Sequence, residues 1–283
     1  MIEGQASRTA ERVAVERAAH QLLDSPLVLV DPLAIEMLAP DQASRLREHP
    51  EQHDASPITK PMRALVVVRS RIAEEEIARG AASGGVGQYV LLGAGLDTFA
   101  YRNPLPGVRV FEVDEPATQR LKRERLDAAG IAVPETVTFV PCDFRTAAPI
   151  VELRSAGFDD ARPAVFAWLG VAMYLTRADV MRTLRAIAAL PKSSAVVFDY
   201  ALPPRALSWM TRLFYRRVLR RLEAQGEPWR SFFEPTPLRA ALADLGFTEI
   251  DDLGPAEIDG RYLAGRRDGL KAGSVGRIVI ARR

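Results

Sequence analysis

Apolar positions along the chain follow two different periods, and the change between them falls near residue 88. Upstream the period is helical. Val13, Ala14, Ala18 and Leu22 recur at that spacing behind a Ser7 or Thr9 cap, which predicts a helix over 7–23 that Asp24-Ser25-Pro26 ends. Asp31-Pro32 starts a second, short helix over 33–38. Residues 39–60 are polar and proline-rich, and read as a surface loop with a short helix in it. Leu65, Val68, Ile72 and Ile77 mark the buried face of a longer helix over 61–79, with Arg69 lying between apolar turns. Small residues over 80–87 then break the pattern.

From there the apolar runs shorten to strand length. They fall at Tyr89–Leu92, Val108–Val113, 136–141, 163–168 and 194–200, with helical segments expected over 117–129, 146–155 and 177–190. A strand every 25 to 35 residues with a helix between predicts right-handed crossovers and a largely parallel sheet. Residues 203–237 interrupt this alternation as an insertion read as a lid. It is aromatic (Trp209, Phe214, Tyr215, Trp229, Phe232, Phe233) and basic (Arg212, Arg216, Arg217, Arg220, Arg221). A helix to Leu245 follows, and the runs 247–253 and 277–281 are close enough to form an antiparallel pair. The expected organisation is a helical extension over 1–87 and an α/β domain over 88–283.

One junction carries chemistry. The first strand stops at Gly93, the small turn Gly93-Ala94-Gly95 follows, and residues 96–101 are expected to begin a helix capped by Asp97 or Thr98. The second strand ends on Asp114, 21 residues after Gly93. Glycines at a strand end let a ligand approach the backbone, and an acid at the next strand tip can accept both hydroxyls of a ribose. The dinucleotide fingerprint would place a third glycine or alanine where Thr98 stands, and Asp97 would set a negative charge beside a pyrophosphate. An adenosine ligand without phosphates meets neither objection, so the pattern favours S-adenosyl-L-methionine over NAD. A bare strand-to-helix turn with an incidental acid is the alternative.

Composition narrows the classes. The net charge of +2 provides no global basic field for nucleic acid. The single cysteine, Cys142, excludes an internal disulfide, and the three histidines, all within the first 53 residues, show no metal-ligand spacing. With no histidine in its half of the chain, Cys142 reads as a small buried residue rather than a nucleophile. No apolar run reaches membrane-span length and the N-terminal residues lack the apolar core of a leader, so the expectation is a cytoplasmic enzyme without membrane or nucleic-acid partners, a homo-oligomer staying open.

The motifs V-L-L-G-A-G-L-D-T-F-A-Y-R, V-F-E-V-D-E-P, P-C-D-F and W-L-G-V-A-M-Y-L-T together resemble the leucine carboxyl methyltransferase-type family of class I S-adenosylmethionine-dependent methyltransferases, including its bacterial and polyketide-pathway carboxyl O-methyltransferases. The resemblance runs from about Arg8 to the C-terminus. It implies a Rossmann-like, mostly parallel seven-stranded sheet and S-adenosyl-L-methionine as cofactor. It also implies roles by position. Gly93, Ala94 and Gly95 would pass under the methionine part, and Asp114, with Glu115 beside it, would hold the ribose. Asp143 and Phe144, next to Cys142, would flank the adenine, while Arg69 and Arg8 would meet the cofactor carboxylate. One position departs: Leu169 stands where the family motif carries an acid that reaches the cofactor's amino group. Simpler roles stay open, Asp143 as a helix cap and Arg69 as an exposed helix arginine. The insertion's arginines read as a solvated face or an attraction for an acidic substrate, its aromatics as lid core or pocket wall.

The expected reaction is methylation of a small-molecule carboxylate, which is ionised at pH 7 and needs no general base. Tyr174 and Tyr200 are candidates for orienting the acceptor. A protein C-terminal carboxyl methyltransferase, an NAD-dependent oxidoreductase and a non-catalytic S-adenosylmethionine-binding protein are the alternatives, the last kept open by Leu169.

Overall fold

The computed structural model describes residues 7–144, 147–224 and 226–283. Residues 1–6, read above as lacking a leader, and Thr146, an expected helix start, lie outside the described residues. Helices α1 (Arg8–Leu23), α2 (Pro40–Glu48), α3 (Pro50–His53) and α4 (Thr59–Ala82) precede β1 (Gln88–Leu92). There follow β2 (Arg109–Asp114), α5 (Pro116–Ala128), β3 (Val137–Pro141), α6 (Pro149–Ser155), β4 (Val165–Trp168), α7 (Arg177–Ala188) and β5 (Ala195–Ala201). The chain ends through α8 (Trp209–Ala224), α9 (Pro235–Asp244), β6 (Glu249–Leu253), α10 (Pro255–Tyr262) and β7 (Gly276–Arg282).

Among the described residues the strands form one seven-stranded sheet in the order β3-β2-β1-β4-β5-β7-β6. The first five strands run parallel, with Val90 opposite both Phe111 and Phe166, and β7 is antiparallel to both β5 and β6. The central strands β1, β2, β4 and β5 are largely apolar on both faces because both faces are covered. Val90, Leu92, Phe111 and Val113 pack with Leu153 of α6, Leu184 of α7 and Leu242 of α9. Tyr89, Leu91 and Val110 pack on the other side with Val68 and Ile72 of α4 and Ile258 of α10. Helix α4, read as part of an extension, therefore belongs to the layer that covers the sheet.

Two expected helices are shorter than the sequence suggested. Residues 33–38 form only a 3₁₀ turn, Ala34–Met37, and residues 96–101 only the turn Phe99–Tyr101. In the second case Asp97 accepts from the Phe99 amide at 2.8 Å, as an N-cap does, but the turn is stopped at once by Asn103-Pro104, since proline disfavours helical backbone before it. Helix α10, by contrast, was not expected, although Gly254-Pro255 followed by Glu257 is a helix start and the Gly254 amide donates to Glu257 Oε2 at 2.9 Å.

The glycine turn is tied to α1 by a cluster of charges. Arg17 is 3% exposed; its Nε and Nη2 donate to Asp31 Oδ2 at 3.0 and 2.7 Å, and its Nη1 donates to Asp97. Thr98 donates to Asp31 at 2.6 Å, and Arg102 bridges Asp31 and Glu74. Burial pushes the Asp97 carboxyl up most strongly, but the charges of Arg17, Lys122 and Arg102 and the Phe99 amide together outweigh it and hold the group down at about 2. A carboxyl depressed in the folded state stabilises the fold above its usual value near 4, and that contribution is lost as pH falls toward 2. Asp97→Asn should therefore lower the unfolding free energy at pH 7 by about 2 kcal/mol and flatten its decline between pH 4 and 2, as read by urea denaturation across that range. Parallel pH profiles for the two proteins would rule out the Arg17 pairing as the source.

Candidate functional site

The C-terminal ends of β1, β2 and β4 face a cavity of about 430 Å³ at the point where the strand order reverses direction, the place where open α/β sheets bind ligands. Its size falls within the range of small-molecule sites.

The glycine turn makes one wall. The Gly93 and Ala94 amides both donate to the Val113 carbonyl, at 2.8 and 3.1 Å, folding the turn back over the end of β2. Gly93 and Gly95 take φ of +75° and +50°. A Cβ on Gly93 would stand 2.3 Å from Val171 Cγ2, and one on Gly95 3.2 Å from the Ala10 Cβ. The turn must be bare because α1 and the segment after β4 close against it.

Asp114 ends β2 at 8% exposure and lines the cavity. Its two oxygens accept from separate backbone amides, Gly95 N at 2.6 Å and Glu115 N at 2.7 Å. These bonds fix the carboxylate's orientation. Burial raises the Asp114 pKa, and the two amides work against that rise. Glu115, Asp143 and Phe144 line the same end of the cavity.

The opposite wall holds Arg69 and Leu169. Arg69 is 6% exposed, so it is not an exposed helix arginine. Its Nη1 donates to Asp199 Oδ2 at 2.8 Å, while the Gly170 amide donates to the other oxygen of Asp199 at 2.5 Å. Gly170 lies so close beneath the guanidinium that a Cβ would stand 2.8 Å from Arg69 Nη2. Arg69 Nε is buried and has no hydrogen-bond partner among the described residues.

Helix α1 and the segment after α8 roof the cavity, contributing Thr9, Ala10, Val13 and Arg17 from one and Glu227, Pro228 and Arg230 from the other. Thr9 Oγ1 donates to Glu227 Oε2 at 2.5 Å and lies 3.1 Å from the Tyr174 hydroxyl. Glu227 is 5% exposed. Burial raises the Tyr174 pKa, so its hydroxyl stays protonated at neutral pH.

Ten of the expected site residues therefore meet at one cavity: Arg69, Gly93, Ala94, Gly95, Asp114, Glu115, Asp143, Phe144, Leu169 and Tyr174. Three do not line it. Arg8 is exposed at the start of α1. Cys142 is buried in the core, where burial pushes its thiol up to about 12 and leaves it unreactive at neutral pH; only its amide takes part, donating to the Asp114 carbonyl at 2.9 Å. Tyr200 faces away, its hydroxyl donating to Asp252 at 2.8 Å and its ring packed edge-on against Phe233. The sequence reading missed Thr9, Arg17, Glu227 and Arg230. Thr9 offered only a cap signal, and nothing local marks Glu227, 218 residues away along the chain.

No histidine lines the cavity. His20 is held by Asp24 at 2.7 Å and accepts from the Val28 amide at 2.9 Å, and His53 pairs with Glu16 at 3.1 Å. Among the described residues no cluster of side chains could hold a metal ion.

Comparisons with known proteins agree with this geometry. A Bacillus subtilis protein, YktD, provisionally named an S-adenosyl-L-methionine-dependent methyltransferase, is 29% identical over 96% of both chains. A similarly named protein of Mycobacterium tuberculosis (strain H37Rv) is 34% identical over 58% of this chain, and the match spans 54% of that protein. Among solved structures, one from Thermobifida fusca provisionally described as a methyltransferase has a TM-score of 0.58 at 17% identity, over 100% of this chain and 96% of its own. A DUF574 family protein from Streptomyces avermitilis has a TM-score of 0.56 at 17% identity, over 98% of each chain. The shared fold is that of class I methyltransferases. The family model for leucine carboxyl methyltransferases matches residues 10–188, more than half of the chain and the whole stretch from α1 through the glycine turn and Asp114 to α7, so the protein belongs to the leucine carboxyl methyltransferase family.

Proposed function

We propose that this cavity binds S-adenosyl-L-methionine and a small carboxylic acid, and that the protein methylates the acid's carboxylate. The coarser activity is that of its family and relatives: it is an S-adenosyl-L-methionine-dependent methyltransferase. The observation that carries the cofactor site is the Asp114 carboxylate, aimed by two backbone amides beside a wall that admits no side chain.

The residues present fit that cofactor. Beside its bonds to the Gly95 and Glu115 amides and to Thr118, the Asp114 carboxylate has acceptor capacity left for the ribose. The bare glycine turn gives the ligand backbone contact, and Arg69, part of the same lining, offers a cationic group to the cofactor's carboxylate. The neighbouring cluster of Arg17 and Arg102 with Asp31, Glu74 and Asp97 is net negative, which disfavours a pyrophosphate and so an NAD ligand. Once bound, the cofactor supplies a methyl group already activated on a sulfonium. The protein's part is to align the acceptor and exclude water, and the α1 roof and the Tyr174 wall serve both ends. A carboxylate acceptor accords with the absence of histidine from the lining and with Arg230 at the rim.

A hydroxyl acceptor is the second reading, and one observation favours it. Glu227 is a buried carboxylate in the lining, already hydrogen-bonded to a hydroxyl, and could serve as a base.

Two measurements test these readings. Asp114→Ala should weaken calorimetric binding of S-adenosyl-L-methionine and S-adenosylhomocysteine by about 100-fold or more, because two hydrogen bonds to a charged group are lost. Unchanged affinity would move the cofactor elsewhere. Glu227→Gln separates the acceptors. With a carboxylate acceptor, kcat should stay within about tenfold of wild type; with a hydroxyl acceptor it should fall by about 10²–10⁴.

A further inference from the structure

We propose that the outward face of α8 docks the protein on an anionic lipid bilayer. Four large apolar side chains project from the helix's first turns: Trp209, Met210, Leu213 and Phe214, at 75%, 64%, 56% and 44% exposure. At about 100° per residue they share one arc of roughly 140°. In the following turns Arg217, Arg220 and Arg221 continue the same arc and Arg216 borders it. All four arginines are exposed, and among the described residues none of them makes an ion pair. The opposite face is fixed to the body of the protein by Tyr215 and Leu222, 3% and 8% exposed, so the projecting residues belong to an anchored helix.

Neither role expected of the insertion accounts for this face. Trp209 and Phe214 are neither lid core nor cavity wall. The combination of an apolar wedge and unpaired arginines fits a surface that is apolar within and negative at its boundary. Aromatic and aliphatic side chains enter the acyl boundary, and arginine stems lie along it with their charges at the headgroups. A second copy of the chain would present the same cationic face across a twofold contact and supply no counter-charge for the arginines. A protein partner would need a matched pocket for each projecting side chain, whereas a fluid bilayer needs none. The expectation of no membrane partner came from the lack of a long apolar run. Indeed no described helix is long and apolar enough to cross a membrane, but a helix lying in the interface needs no such run. Helix α8 also ends at the cavity, where Glu223 is part of the lining, so docking would bring the cavity's rim near the bilayer.

The test is flotation of the purified full chain with vesicles of phosphatidylglycerol and phosphatidylcholine in equal parts, and with vesicles of phosphatidylcholine alone. The wild type should partition onto the anionic vesicles at least tenfold more strongly, and high salt should weaken the binding. Replacing Arg216, Arg217, Arg220 and Arg221 by Gln should cost about fivefold for each arginine removed. The triple change Trp209→Ser, Leu213→Ser and Phe214→Ser should abolish flotation while leaving S-adenosyl-L-methionine affinity intact, since none of the three lines the cavity. Failure of the wild type to float with anionic vesicles would overturn the proposal and leave an acidic protein as the occupant. A dimer in sedimentation velocity that the serine variant dissociates would overturn it in favour of a second copy.

Discussion

The site depends on a single buried charge. Arg17 reaches from the middle of α1 to Asp31 on one side and to Asp97 and Thr98 in the glycine turn on the other. A guanidinium so deep in the protein costs several kcal/mol unless nearly all of its donors are satisfied, so α1, the segment at Asp31 and the turn are constrained to meet around it. That meeting brings Ala10 against Gly95, which is why the turn can carry no side chain there. It also sets the position of the Gly95 amide, one of the two that aim the Asp114 carboxylate. A charge on a helix outside the sheet thus determines the shape of the wall that the cofactor is expected to meet.

What the sequence revealed divides along the same line. Strands β1, β2, β4 and β5 were legible because each is covered on both faces and reads as a mostly apolar run, broken only by buried acids at Glu112 and Asp199. Asp114 was legible because its relation to Gly93 is local. The roof was not: Thr9 and Glu227 meet across nearly the whole chain, and neither sits in a pattern that single-sequence periodicity can register. The expected helix after the turn is cut to a short turn. Asp97 does accept from the Phe99 amide as a cap would, but Asn103-Pro104 stops the turn at once. Helix α4 was seen as a helix but not as a sheet-covering layer, since its apolar stripe says that it is buried and not what buries it.

Leu169 and Arg69 show how a departure from a family pattern is absorbed locally. The wall that would carry an acid at position 169 carries leucine, packed beside the core under α4. Arg69 on the same wall has its counter-charge in Asp199 on β5, which also receives the Gly170 amide. Asp199 is 1% exposed, and both of its oxygens have donors. With leucine at 169, the Arg69–Asp199 pair is the charged group of this wall.

The roof has its own fastening. Thr9 on α1 donates to Glu227 beyond α8, and Tyr174 from the segment after β4 lies within hydrogen-bond distance of the same hydroxyl. Three stretches that are remote in sequence thus converge on one threonine oxygen at the cavity wall. A hydrogen bond to a carboxylate is worth roughly 1.5–3 kcal/mol, and separating α1 from the Glu227 segment would also expose a carboxylate that is now 5% accessible. Water and ligands that stabilise Glu227 from within the cavity would compete with Thr9 for the same oxygen. Helix α1 and the Glu227 segment are therefore held together by a bond whose acceptor is itself part of the cavity lining.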